Sequence, residues 1–145
     1  MKKRLRRYRF FALAAFSLTA IGALYGYREY NRTLPSTRDL EPAFKLETSD
    51  FVKQFEIDES KANAKYVDQT INVHGLAHSI QITDTSAVVL LNDGYSSTSV
   101  VCQFENESIE EMKKIKRGDE VTVKGICSGY LVDVVMVRCV LDKEN

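Results

Sequence analysis

Three cysteines are the residues of this chain whose chemistry depends most on their surroundings. Cys102, Cys127 and Cys139 are each in phase with nearby valines in an alternating apolar run, so all three can face inward. A tight turn near Tyr130 would set Cys127 opposite Val134, so a Cys127–Cys139 bridge would require a longer loop or a bulge. The strand order given below also allows a Cys102–Cys139 pair. Two interpretations stay open: one disulfide with one remaining thiol, or three thiols packed in the core. No base or cation cluster is evident beside them, so we expect no reactive thiol.

The two histidines could in principle hold a metal ion. His74 and His78 are four residues apart, which is a metal-binding spacing on a helix, but their segment alternates as a strand does and no third ligand is evident. We interpret both as structural or exposed histidines and expect no metal. The sequence also shows no glycine-rich phosphate loop, no Ser/His/Asp set and no catalytic pair of carboxylates. We therefore predict that the protein is not an enzyme and uses no cofactor.

These residues lie in a segment whose apolar residues alternate with period two, which predicts a β domain over residues 67–145. Gly75, inside the first strand, indicates a bulge or a sharp bend. A helical insert with Ile109, Met112 and Ile115 on its apolar face separates the third strand from the fourth. The predicted strands are Thr70–Ile82, Ala87–Leu91, Ser97–Phe104, Glu120–Ser128 and Val134–Leu141.

Three strands, a helix and two further strands are the order of the OB-fold, a five-stranded Greek-key barrel. The domain is therefore predicted to be mostly β, with a helix between strands 3 and 4. The bend at Gly75 suits this fold, because a small barrel requires its first strand to curl. An SH3-like barrel would lack the helix, and a cystatin-like fold would place one long helix before the strands.

The start of the chain has the charge pattern of a membrane anchor. Residues 1–9, a basic cytoplasmic tail, carry six Lys or Arg and no acid, and residues 10–27 contain no charge. A stretch of that length can span a bilayer. By the positive-inside rule we expect a single-pass protein of the bacterial inner (cytoplasmic) membrane, with its C-terminal domain outside the cytoplasm. The alternative is a cleaved signal peptide, for which Ala20-Ile21-Gly22 is a poor cleavage site.

Two segments connect the predicted anchor to the barrel. Residues 28–47 contain both prolines and little periodicity, which indicates a stalk or linker. Residues 48–66 have helical spacing and are predicted to form a helical cap, broken once, with Ser49 or Asp50 as its N-cap. Asp58 is expected to begin the second helical piece.

The segments INVHG, VVCQF, KKIKRGDEVTVKGICSGYLVDVV and RCVL resemble the bacterial tRNA-anti-like OB-fold family, over about Ser49 to Leu141. The most specific part is Lys116 to Val135, with Gly118 and Asp119 before the strand. The resemblance implies an OB barrel preceded by helices, in a domain that is anchored or exported. It implies neither tRNA binding nor catalytic residues.

The charge of the barrel argues against nucleic acid as the ligand. Residues 66–145 hold seven Lys/Arg and 12 Asp/Glu, whereas single-strand binding requires a basic groove and aromatic rings for stacking. Four of the bases lie together beside Glu110 and Glu111 on the predicted insert: Lys113, Lys114, Lys116 and Arg117. We interpret this cluster as the solvated face of a helix.

Ligands of OB barrels lie on the face of strands 2 and 3 and in the flanking loops. The corresponding loops here are Thr83–Ser86, Asn92–Ser97 and Gly129–Asp133. Tyr95 and Tyr130 are the predicted contacts, because an aromatic ring with a hydroxyl suits saccharide or peptide surfaces. The remaining candidate ligand-binding residues are polar: Asn92, Asp93 and Asp133.

The sequence therefore predicts a membrane-anchored, extracytoplasmic OB-fold binding domain of unknown ligand. The alternative is a structural or assembly partner of another envelope protein, docked through an open strand edge. Binding of single-stranded nucleic acid is the least favoured of the three functions.

Overall fold

The computed structural model describes Thr19, residues 21–29 and residues 36–142. The chain divides into two compact units, Met1–Leu34 and Pro35–Asn145. The second unit contains all the strands of the described residues.

In the first unit, residues 21–29 are helical and their side chains are exposed. The basic tail, residues 1–9, and most of the predicted anchor, residues 10–27, lie outside the described residues. Within the described part of the chain, no helix combines the length and the apolar character that a membrane crossing requires.

The second unit is built around a closed barrel. Its strands are β1 (Phe44–Glu47), β2 (Thr70–Ile82), β3 (Ala87–Leu91), β4 (Val100–Phe104), β5 (Glu120–Tyr130) and β6 (Val134–Leu141). The last five neighbour one another in the order β2-β3-β4-β6-β5, and β5 pairs with β2 to close the barrel. β4 and β6 run parallel, and the other barrel pairs are antiparallel. This is the OB-like architecture that the sequence predicted.

Three of the five predicted strands have the bounds that the structure shows, and the fourth continues to Tyr130. The third begins at Val100 rather than Ser97. The strand starts late because Thr98 and Ser99 are hydrogen-bonded to the side chains of Asn92 and Asp133 and do not enter the sheet.

β1 lies in the segment that the sequence assigned to the stalk, residues 28–47, and it departs from that prediction. It runs parallel to the first half of β2, with Phe44 opposite Ile71 and Glu47 opposite His74. Four residues are too short a run to show strand periodicity in a sequence. β1 instead depends on β2 for its hydrogen bonds, and the ring of Phe44 packs edge-on against Tyr66 at 5.0 Å.

Two helices follow β1 and cover one end of the core. They are α1 (Thr48–Ile57) and α2 (Glu59–Tyr66). Phe51, Phe55 and Tyr66 are at most 1% exposed and pack with their ring centroids 5.3–6.0 Å apart. The carboxylate of Asp58 accepts a hydrogen bond from the backbone N–H of Lys61 at 3.0 Å, which confirms that Asp58 begins the second helical piece.

The predicted N-cap of α1 was wrong. The cap is Glu47, which makes no side-chain capping bond, and Ser49 and Asp50 lie inside the helix. The polar side chain that holds this end of α1 is Thr48, whose hydroxyl donates to the carbonyl of His74 at 2.9 Å. A tertiary contact with β2 thus fixes the start of α1.

The insert between β4 and β5 is shorter than the sequence predicted. It consists of a 3-10 turn, Asn106–Ser108, and α3 (Ile109–Met112). Ile109 and Met112 are buried and Ile115 packs against the core, as expected. After α3 the chain turns, because the carboxylate of Asp119 accepts from the N–H of Lys116 at 2.8 Å.

Candidate functional site

The loop that joins β3 to β4, residues 92–99, is organised by a buried amide. Asn92 is 9% exposed. Its Nδ2 donates to the carbonyls of Ser96 and Thr98 and to the hydroxyl of Ser99, each at 3.1 Å. Its Oδ1 accepts from the N–H of Gly94 at 2.6 Å. The Asn92 amide, predicted to contact a ligand, is therefore occupied by its own loop.

The two predicted aspartates also hold loops. Asp93 accepts the N–H groups of Tyr95 and Ser96 at 2.9 and 3.0 Å. These backbone hydrogen bonds, that from Ser96 first, lower the pKa of the Asp93 carboxyl. Asp133 accepts the N–H of Ser99 at 2.7 Å, which ties the loop between β5 and β6, residues 131–133, to the loop of residues 92–99.

The two predicted tyrosines lie in different environments. Tyr130 is half-buried and stacks on Phe55, with ring centroids 5.5 Å apart and planes inclined by 23°. Tyr95 is 97% exposed. Two residues that the sequence analysis did not select lie in the adjoining loop, where Leu131 is 87% and Val132 is 78% exposed. We call Tyr95, Leu131 and Val132 the apolar tip. The sequence feature that could have indicated it is the aliphatic pair Leu131-Val132 within a predicted turn.

The outer surface of β3, β4 and β6 extends from these loops and is mainly aliphatic, with Gln103 as an exposed polar residue on β4. Val88, Leu90, Val101, Val135 and Val137 are half-buried and alternate with buried residues. The register sets Leu90, Val101 and Val135 side by side across the three strands. We call these five residues the aliphatic face. None of them is a cation or an aromatic ring on which a base could stack.

All three cysteines are free and buried. Cys127 lies opposite Met136 and not opposite Cys139. Cys139 lies opposite Phe104 on the neighbouring strand, two residues from Cys102. Burial, and then a hydrogen bond with the thiol of Cys102, raise the pKa of Cys139 well above its usual range. Of the pairings that the sequence left open, Cys102–Cys139 is the one whose side chains are in contact.

A polar surface that the sequence did not indicate crosses β1, β2 and β5. In one row the register sets Asn72 between Lys45 and Lys124, and in the next it sets His74 between Glu47 and Thr122. We call these six residues the polar face. Its rows join residues that are far apart in sequence, and one of its strands is β1, so the pattern of any single strand could not reveal it.

The two histidines have different surroundings on β2. Nδ1 of His74 lies 3.1 Å from the hydroxyl of Thr122, and His78 is exposed on the outside of β2. Among the residues that the structure describes, no group of three His, Cys, Asp or Glu side chains is placed to bind a metal ion.

The basic cluster after β4 is exposed and partly paired with acids. Lys113 forms an ion pair with Glu110 at 2.6 Å, and Arg38 forms one with Glu111 at 3.2 Å. Because α3 ends at Met112, the four bases lie at and beyond the end of the helix instead of along one helical face.

Comparison with known proteins gives a family and a fold. The family model described as tRNA_anti-like matches residues 1–141. A proposed nucleic acid-binding lipoprotein from Klebsiella pneumoniae has a similar structure, with a TM-score of 0.60 and 14% identity over 70% of this chain and 93% of that one. Asparaginyl-tRNA synthetase from Entamoeba histolytica gives a TM-score of 0.45 and 17% identity, over 72% of this chain and 25% of that one. The curated proteins contain no match.

Proposed function

The chain belongs to the tRNA_anti-like family, and we propose that it is a membrane-anchored, extracytoplasmic binding domain that holds an uncharged or apolar partner surface and performs no catalysis. The aliphatic face carries this proposal. It occupies the position where OB barrels take their ligands, and it offers aliphatic side chains where a nucleic-acid site would offer rings and cations.

The apolar tip supports the same interpretation. The loops that carry it are tied together by the 2.7 Å bond from Ser99 to Asp133 and by the bond from the N–H of Val134 to the carbonyl of Ser99 at 3.0 Å. Large apolar side chains on anchored loops are typical of surfaces that bind other molecules. The aliphatic face and the apolar tip together would bury a partner mainly through apolar contacts.

The anchor and the location outside the cytoplasm rest on the sequence. Residues 1–9 supply six positive charges before the uncharged stretch 10–27. From residue 28 onward the chain has 14 Lys/Arg and 20 Asp/Glu. Since Lys and Arg are retained on the cytoplasmic side, this distribution favours an anchor in the bacterial inner membrane with the barrel outside the cytoplasm.

The alternative function is assembly with another envelope protein through a strand edge. β1 favours it, because this strand of four residues pairs only with β2 among the described strands. An exposed edge can accept one further strand from a partner. A partner of this kind would contact β1 and leave the aliphatic face uncovered.

A binding experiment distinguishes these functions. In the first part, purified protein is titrated with fluorescent oligothymidine at low and high salt. In the second part, a photoreactive residue placed at Val101 or at Lys45 is used for cross-linking in envelope fractions. Cross-links from Val101 would support the proposal, and cross-links from Lys45 alone would support assembly through β1. Tight, salt-dependent binding of oligothymidine would contradict both and favour nucleic acid.

Topology is tested separately. Protease would be added to intact cells, to cells with a permeabilised outer barrier, and to lysed cells. We expect cleavage of the barrel as soon as the outer barrier is opened, while the N-terminal fragment stays with the membrane. Protection until the inner membrane is broken would reverse the proposed orientation.

A further inference from the structure

The outer surface of the barrel carries a band of uncharged side chains that is wider than the aliphatic face. The register aligns one row across four strands: Ser79, Leu90, Val101 and Val135. A second row runs beside it across three strands: Gln81, Val88 and Gln103. We call these seven residues, with Val137 of the aliphatic face, the uncharged band. The band ends on β6 at Arg138, in the bulge that follows Val137.

The charge of the chain shows what kind of surface the band can meet. From residue 28 onward the chain has 14 Lys/Arg and 20 Asp/Glu, so two copies of the domain repel each other over most of their surfaces. This repulsion is weakest where the facing surfaces carry no charge. A charged ligand would find no opposite charge in the band, whereas a second uncharged surface would lose none. The same band on a second copy of the chain meets this condition.

The polar side chains of the band can each pair with their own counterpart. The amides of Gln81 and Gln103 contain both donors and an acceptor, and so does the hydroxyl of Ser79. A carboxylate or an ammonium that faced its own copy could form no such hydrogen bond. In a twofold interface, a residue near the axis meets the same residue of the partner. The polar groups of the band are therefore of the kinds that a twofold contact can satisfy.

The strand order indicates where the twofold axis would lie. β4 is the middle strand of the aliphatic face, between β3 and β6. In the first row, Leu90 and Val135 are the neighbours of Val101 on its two sides. An axis along β4 would set Val101 and Gln103 against their own counterparts and Leu90 against Val135 of the partner subunit. Two sheets with aligned strands pack face to face in this way.

We propose that two copies of the chain form a symmetric dimer through the uncharged band, with the twofold axis along β4. This inference rests on the proposed function and names its partner, because the apolar surface that the domain holds is then the same face of a second copy. The band and the apolar tip are smaller than a standard interface, which has about 20–30 residues on each side. The dimer should therefore depend on the proposed anchor, since two copies held in one membrane have a raised effective concentration.

The test is photo-cross-linking of the full chain in intact envelope membranes. Two copies with different epitope tags are produced in the same cells, and one of them carries a photoreactive residue at Val101. We expect a product of twice the monomer mass that contains both tags. The same photoreactive residue at Lys45, on β1 and outside the band, should give no product with both tags.

A charge exchange at Gln103 tests the position of the axis. Gln103 is exposed, so substitutions there leave the core intact. Gln103→Glu in both copies sets two carboxylates against each other and should reduce the doubly tagged product roughly tenfold or more. Gln103→Glu in one copy and Gln103→Lys in the other sets opposite charges together and should restore the product. Gln69→Glu is the matched control, because it makes the same change at an exposed position before β2, and it should have no effect.

The outcomes separate this inference from the proposed function. Cross-links from Val101 to a molecule other than the second copy would overturn the dimer and leave the proposed function intact. The absence of any cross-link from Val101 would overturn both. An undiminished dimer in Gln103→Glu, or no recovery in the Glu/Lys pair, would also overturn the dimer, because the two side chains would then not face each other.

Discussion

The hydroxyl of Thr48 occupies the space that a side chain on Gly75 would require. A Cβ added to Gly75 would overlap Thr48 Oγ1, and Cβ of Thr48 would lie 3.0 Å from it. The same hydroxyl donates to the carbonyl of His74 at 2.9 Å. The absence of a side chain at Gly75 thus lets the first turn of α1 lie directly on β2.

Gly75→Ala is therefore expected to destabilise the barrel by about 1–3 kcal/mol, because the methyl group would push α1 away from β2. Chemical denaturation followed by circular dichroism measures this. The penalty should be smaller in a Thr48→Ala background, which removes the hydroxyl in question. Gly22→Ala is the control, because a Cβ added there would meet no atom within 4 Å apart from the backbone of its own helix. Additive effects of Gly75→Ala and Thr48→Ala would show that the two residues do not compete for space.

The two tyrosines should separate stability from binding. Tyr130→Ala removes the ring stacked on Phe55 and should lower the free energy of unfolding by about 1–3 kcal/mol. Tyr95→Ala changes a side chain that is 97% exposed and should leave stability within about 0.5 kcal/mol. If the apolar tip contacts a partner, Tyr95→Ala also reduces cross-linking from Val101. A large loss of stability in Tyr95→Ala would contradict its assignment to a free surface.

Refolding in a glutathione redox buffer should join Cys102 to Cys139 and leave Cys127 as a thiol. The first two side chains are in contact on neighbouring strands, whereas Cys127 faces Met136. In this reaction two protein thiols reduce one molecule of glutathione disulfide. Peptide mapping without reduction identifies the bridge. Cys127→Ala should keep it, Cys139→Ala should abolish it, and a bridge that contains Cys127 would contradict the prediction.

Asp93 should make the stability of the barrel depend on pH in the acidic range. Backbone hydrogen bonds from Ser96 and Tyr95 lower the pKa of its carboxyl in the folded state. A lowered folded-state pKa stabilises the fold above the unfolded pKa of about 3.9, and this contribution is lost as the pH falls further. The stability difference between wild type and Asp93→Asn should therefore be largest near neutral pH and should shrink below pH of about 4. Urea titrations at several pH values measure it, and a constant difference would refute it.

The strands and their order could be predicted from the sequence because each strand carries its own alternation, and three strands had the bounds that the structure shows. The helical insert was predicted too long, since Lys113 to Arg117 have helical charge spacing while Asp119 closes a turn around them. Local pattern thus identifies an element more reliably than it locates the end of that element.

The candidate site was harder to predict. Asn92, Asp93 and Asp133 were selected because they lie in loops that flank the ligand-binding face of OB barrels. In the structure each is hydrogen-bonded to backbone of its own loop or of the adjacent one. A polar loop side chain can bind a ligand or form hydrogen bonds with nearby backbone, and the sequence does not show which backbone groups lie within its reach.

The sequence by itself determined the type of barrel, its charge and the basic start of the chain, because periodicity and composition are properties of neighbouring residues. The tertiary structure alone decided which thiols are in contact, why no larger residue fits at position 75, and that Asn72 lies between Lys45 and Lys124. These relationships join residues that are distant in the chain. They follow from strand register, which is set when the barrel closes and the hydrophobic core of all five strands is buried together.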